Sequence, residues 1–175
     1  MNQMMQCIPN VERIGDLATN FDEMGKKLYE GGSVFSEEAK RELEILFDAV
    51  EEILRLTVEA METGAEHTAR RIEPLEEVID DMVLLLKNRH TARLCQGICS
   101  IPAGLVFMDA LIHLERVADQ CSNMAMLVMG KENPDILKEN HRYLQELHEG
   151  DDQSYRAEHK MRKAQYMAPL EQAGV

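Results

Sequence analysis

Val11-Glu12-Arg13-Ile14-Gly15-Asp16-Leu17-Ala18-Thr19-Asn20 returns, slightly changed, as Leu114-Glu115-Arg116-Val117-Ala118-Asp119-Gln120-Cys121-Ser122-Asn123. Glu, Arg, an aliphatic residue, a small residue, Asp and a later Asn keep the same offsets in both copies. In a helix, Glu at i and Asp at i+4 lie one turn apart on one face. Two such helices brought together would gather four carboxylates and two amides, a set of hard oxygen donors. On a helical wheel Glu115, Asp119 and Asn123 run beside the apolar face rather than down its centre, and Glu12, Asp16 and Asn20 do likewise. Glu76 and Asp80 form a third row flanking another apolar stripe. Such rows are open to water yet within reach of a partner helix. That suits a surface-facing cation cluster better than a buried catalytic pocket.

The stretches between the repeats are helical too. Leu, Met, Glu and Ala dominate, no useful strand alternation occurs, and aromatics are only 5%, so helices are favoured over strands. The first predicted helix runs from about Pro9 to Glu30 and ends at Gly31-Gly32. Ser36 caps the second, with Glu37-Glu38 at the positive end of its dipole. Leu43, Leu46, Val50, Ile53, Thr57 and Met61 then recur at three- and four-residue steps until Gly64. The third spans about Ala65 to Cys99, with Ile72, Leu75, Ile79, Met82 and Leu86 inward; Pro74 either kinks it or marks its true start near Glu73. Ser100-Ile101-Pro102 opens the fourth, which closes at Gly130. The expected fold class is all-α, an antiparallel bundle of long helices about 40 Å in length at ~1.5 Å per residue. Residues 1–130 form the bundle. Residues 131–175 form a polar tail, helical or partly disordered: a short helix near Asp135 to His148, then a loosely held stretch carrying Arg156, Lys160, Arg162 and Lys163.

The net charge of −13 argues against nucleic acid and favours cations or a basic protein surface. No apolar run reaches the ~18 residues of a membrane span. Cys7, Cys95, Cys99 and Cys121 do not form a secreted disulfide framework, so a reducing compartment is expected. Cys95 and Cys99 share a helix face and are either a soft-metal half-site or buried apolar thiols, the second being the expected case. Arg13 and Arg116 bridge neighbouring carboxylates or bind an anion such as phosphate. His90 is a candidate ligand or an ordinary surface histidine.

Carboxylates one turn apart repel. Gathered where the effective dielectric is near 20, each pair at about 6 Å costs about 2–3 kcal/mol, and a bound cation reverses that sign. Oxygen ligands point to Mg, Ca, Mn or Fe, with Zn as a further candidate. The competing reading is a solvated acidic face paired locally with Arg13 and Arg116. Enzyme signatures are missing: there is no GxGxxG, GxxxxGK[ST], HExxH or GxSxG. No histidine has Glu three residues before it, unlike the di-iron bundles. The chain is expected not to be an enzyme.

The two motifs resemble the E/DxxxD signature of the PhoU family, regulators of phosphate uptake built from two three-helix repeats that each end in such a motif. The order of elements also resembles the cytoplasmic PhoU-like region at the C-terminus of bacterial sodium/phosphate cotransporters. Glu76-Glu77-Val78-Ile79-Asp80, Arg89-His90-Thr91-Ala92-Arg93-Leu94, Gly97, Cys99 and Phe107-Met108-Asp109 support it, over residues 9 to 130. The resemblance implies one three-helix repeat plus one helix of the preceding repeat, as if the chain were cut inside its own repeat. It implies metal ions, typically Fe or Zn with Mg or Mn as alternatives, held by Glu12, Asp16, Glu115 and Asp119; Glu76 and Asp80 match a neighbouring acidic pattern. Ala118 stands where Gly is usual. The implied role is a regulatory, metal-binding domain in the cytoplasm, associated with sodium-dependent phosphate transport and attached to an inner-membrane transporter region of the same parent protein. Apolar surface left by the missing helices predicts a homodimer. The alternative is a metal-free helical interaction module with an acidic docking face.

Overall fold

The computed structural model describes residues 3–131 and 133–173. Within them the chain forms α1 (Gln3–Glu30), α2 (Glu37–Thr63), the one-turn α3 (Glu66–Ala69), α4 (Ile72–Cys95), α5 (Ile101–Met129), the short α6 (Pro134–Lys138) and α7 (Asn140–Glu149), and α8 (Gln153–Ala173). No strand occurs among the described residues. The all-α bundle read from the sequence is the observed fold.

Local chemistry sets the boundaries. The Ser36 hydroxyl accepts from the Ala39 N–H, and Ser100 caps α5 in the same way through Ala103. Gly64 ends α2 in the left-handed region at φ 65°, with its N–H returned to the Ala60 carbonyl. The question posed by Pro74 is resolved by a break: α3 ends at Ala69 and α4 begins at Ile72, so Pro74 falls in the first turn, where a missing N–H costs nothing. α1 begins earlier than its apolar pattern suggested, with Pro9 inside it.

Helix α5 is the axis of the bundle, touching α1, α2 and α4. Leu46 and Ile53 of α2, Leu75, Ile79, Met82 and Leu86 of α4, and Phe107 and Leu111 of α5 are fully buried between them. Burying each such side chain contributes about 1.5–3 kcal/mol. α4 runs antiparallel to α5, as the Lys87–Glu115 and Glu73–Ser122 contacts require. α1 is antiparallel to α5 as well. Asn20 donates to Nε2 of His113, 3.2 Å away, while Cys7 and Val11 line a groove with Met124.

The tail is helical, as the sequence suggests, but its last helix is not loosely held. α8 packs against α4 and α2 and buries Tyr155, Arg162, Tyr166 and Leu170. Arg162, only 2% exposed, meets Glu52 of α2 at 2.5 Å and Glu158 at 2.8 Å. Arg71 adds a bond to Glu158, and Lys163 one to Asp81. A stretch that reads as polar is polar because its contacts with an acidic bundle are ionic. The single short helix expected near Asp135 to His148 is two, α6 and α7, broken at Glu139.

Candidate functional site

Along α4, Glu73, Glu76 and Asp80 stand at i, i+3 and i+7, one helix stripe. Along α5, Glu115, Asp119 and Ser122 do the same at i, i+4 and i+7. The antiparallel packing sets these stripes against each other. Glu76 and Asp119 face each other across the two helices, close enough for a protonated Glu76 to donate to Asp119. Burial first, then the charges of Glu73, Asp80 and Asp119, push Glu76 up to about 9. Asp80 is raised to about 6 by partial desolvation and by Glu115 and Asp119, against a lowering pull from Lys87. Asp119 is raised by desolvation and by Glu115. The Lys87 ammonium sits 2.7 Å from Glu115 and neutralises one member of the set.

Two further acids anchor the tail to this face. Glu73 is buried and accepts from the Ser122 hydroxyl, with Nε2 of His148 at 2.9 Å. Glu77 accepts from the Tyr155 hydroxyl, with His159 at 3.6 Å. Burial and the bond to Glu77 push the Tyr155 phenol far up, so it stays a donor.

The repeated motif forms a second feature. Arg13, Asp16 and Leu17 of α1 and Arg116, Asp119 and Gln120 of α5 line one groove. These are the same three motif positions from each copy. Because the helices are antiparallel, the motifs meet about a local two-fold, with Asp16 facing the groove that Asp119 shares. Oε1 of buried Gln120 has no hydrogen-bond partner there.

Of the residues singled out from the sequence, the structure thus brings Glu76, Asp80, Glu115 and Asp119 together and sets Asp16 across a groove from Asp119. Glu12 lines a different, apolar groove with Cys7, Val11, Met61 and Met124. Asn20 is engaged by His113 and Asn123 is exposed, so the two amides do not join the carboxylates. The donor chemistry is all oxygen and electrostatically stressed, as a hard cation would want. Among the described residues, however, no three His, Cys, Asp or Glu side chains converge tightly enough to hold an ion as they stand.

Two readings need correction. His90 is not a surface histidine: it is 2% exposed and stacks on Phe107 with ring centroids 4.7 Å apart. Burial lowers its basicity. Cys95 is exposed and Cys99 half-buried, so neither is a buried apolar thiol, whereas Cys7 and Cys121 are. Sequence reasoning missed Glu73, Ser122 and Lys87. The i, i+3, i+7 spacing of Glu73, Glu76 and Asp80 was the available signal.

An all-helical bundle with facing acidic stripes on antiparallel helices defines a class of carboxylate-bearing helical domains. Residues 43–128 match the family model described as the PhoU domain. That segment runs from α2 through α5 and includes Glu76, Asp80, Glu115 and Asp119, but not Glu12 or Asp16. The chain is also 28% identical over 143 residues to "Phosphate-specific transport system accessory protein PhoU homolog 1" of Thermotoga maritima, an alignment covering 82% of this chain and 61% of that protein. The chain therefore spans less than two thirds of that relative's length. No solved structure matches it significantly. Among the described residues no helix is long and apolar enough to cross a membrane.

Proposed function

We propose that this chain is a regulatory, non-catalytic domain of a phosphate-transport system that binds metal ions through the α4–α5 carboxylates. The observation that carries this reading is the facing of Glu76 and Asp119: two acids from opposed helices lie too close for both to be charged without cost, in a setting where Glu73, Asp80 and Glu115 add further repulsion. A cation would take the place of the Glu76 proton and of the Lys87 ammonium. Glu76, Asp80, Glu115 and Asp119 would hold it, with Asp16 able to contribute from α1 (Fe or Zn, or Mg or Mn as oxygen-ligand alternatives). A bound ion would neutralise the acids and tie α4 to α5, the charge change a regulatory domain needs. The regulatory role is supported by the match of residues 43–128 and by the likeness to the Thermotoga accessory protein. The finer assignment, to the cytoplasmic side of a sodium-dependent phosphate transporter, rests on the order of the motifs along the chain.

The test is elemental analysis of protein purified without chelator, beside the Glu115→Gln/Asp119→Asn variant, with phosphate uptake measured in cells carrying either form. Metal in the parent protein, absent from the variant, together with altered uptake control supports the reading. Equal metal in both rejects these ligands. A second reading, a metal-free module with an acidic docking face, is favoured by the Lys87–Glu115 pair, which leaves one acid of the set already neutralised.

A further inference from the structure

Helices α1 and α2 both rest on α5 and meet each other through side chains, Phe21 against Phe47 with ring centroids 5.8 Å apart and Cys7 Sγ 3.6 Å from Met61 Sδ. Above these contacts the two helices leave an open apolar groove, floored by them and by Leu114, Val117 and Met124 of α5. One stretch, about 310 Å³, is lined by Ile8, Val11, Val58, Met61 and Met124; the next, about 260 Å³, by Ile14, Phe21, Phe47, Leu54 and Leu114. The lining positions of α2, from Phe47 to Met61, recur every three or four residues over about 21 Å, roughly four helical turns. Several are held in water: Phe47 is 45% exposed, Val11 54% and Val58 55%. A contiguous apolar strip of this kind marks an interaction surface, and its shape is that of a slot for one helix.

The charge around it selects the occupant. The charged residues that line the two stretches are Glu12, Glu51 and Glu62, all acidic. A second copy of this chain would bring those same acids against each other on a molecule already at −13. An apolar helix edged with lysine or arginine meets both demands at once. Met61, Met124 and Cys7 give the floor and wall soft, adaptable side chains that accept varied apolar faces.

We propose that the α1–α2 groove is a docking site for a basic amphipathic helix of a partner protein, about four turns long. Its apolar face replaces water over Val11, Phe47 and Val58, and its flanking cations pair with Glu12, Glu51 and Glu62. The site is separate from the α4–α5 carboxylates and does not depend on metal.

The full chain is titrated against two fluorescein-labelled synthetic helices with identical Leu/Ala faces, one flanked by Lys and one by Glu, with binding read by anisotropy. The Lys peptide is expected to bind at least tenfold more tightly, and to weaken as salt rises. Val58→Lys, at an exposed position that leaves the core intact by circular dichroism, should weaken it at least tenfold. Glu12→Gln/Glu51→Gln/Glu62→Gln should erase the preference between the two peptides. Failure of the Lys peptide to bind, equal binding of both by the parent chain, or a stable homodimer in sedimentation that Val58→Lys dissolves would overturn the proposal.

Discussion

Glu76 of α4 stands against Asp119 of α5, and burial together with the charge of that neighbour holds Glu76 in its protonated form, able to donate to Asp119. Everything proposed for the site follows from how unfavourable that arrangement becomes once the proton leaves.

The pH dependence of stability is the first consequence. Glu76 is raised from an ordinary 4.5 to about 9, chiefly by burial and then by Glu73, Asp80 and Asp119. Between those values the folded chain holds a proton that the unfolded chain has released. The Glu76 contribution to stability is therefore full below pH 4.5 and is lost as pH climbs through 9, in the metal-free protein. Glu76→Gln, a permanent mimic of the protonated acid, should melt at a higher temperature near pH 8 and show a flatter profile. Thermal melts in chelator across this range check it. Parallel curves for parent and variant would count against the protonated Glu76.

On the proposed reading, Lys87 competes with a bound cation for Glu115. Removing it as Lys87→Met frees that carboxylate and deletes a positive charge beside Asp80. Cation affinity should rise about tenfold, equivalent to about 1.4 kcal/mol, as read by calorimetric titration. Unchanged or weaker binding would show that Glu115 is not a ligand.

Arg162 ties α8 to the bundle through Glu52 and Glu158. Burial alone pushes Glu52 up, but bonds from Tyr166, Arg162 and Gln165 outweigh it and hold it below the usual range. Arg162→Ala leaves Glu52 only the looser, exposed Arg55 at 3.6 Å and should cost about 3 kcal/mol in urea denaturation. A depressed acid stabilises above its unfolded value and loses that stabilisation as pH falls, so the parent chain should also lose more stability in acid than the variant. A variant within 0.5 kcal/mol of the parent, the ordinary range for surface changes, would make α8 a dispensable tail.

Gly104 permits the close approach of α5 to His90. A Cβ there would stand 2.9 Å from Nε2 of His90, whose ring is fixed against Phe107. Gly→Ala within a helix ordinarily stabilises by about 1 kcal/mol. Here Gly104→Ala should lower the melting temperature, and His90→Ala in the same chain should recover part of the loss. A simple gain in stability would contradict the packing described.

The main bundle was legible because Leu46, Ile53, Ile79 and Leu86 repeat at helical spacing and because Ser36, Gly64 and Ser100 punctuate it. The acidic rows of Glu76/Asp80 and Glu115/Asp119 were legible as rows, but periodicity fixes a face and not the neighbour it meets. Hence the meeting of α4 with α5, and the company Glu12 keeps with Met61 and Met124, had to come from packing. α8 was misjudged for a related reason. Its buried contacts run through Arg162 and Tyr155, residues that composition counts as surface. His90 was hidden likewise, since a ring stacked between helices leaves no mark on the pattern.

Zinc titrated into chelator-stripped protein near pH 7.5, in two buffers of different ionisation enthalpy, tests the central claim most directly. If the α4–α5 acids capture the ion, binding releases about one proton, because Glu76 must give up the one it holds, and Glu76→Gln/Asp119→Asn abolishes both the binding and the release. No binding by the parent chain, or binding that the variant retains unchanged, would contradict it.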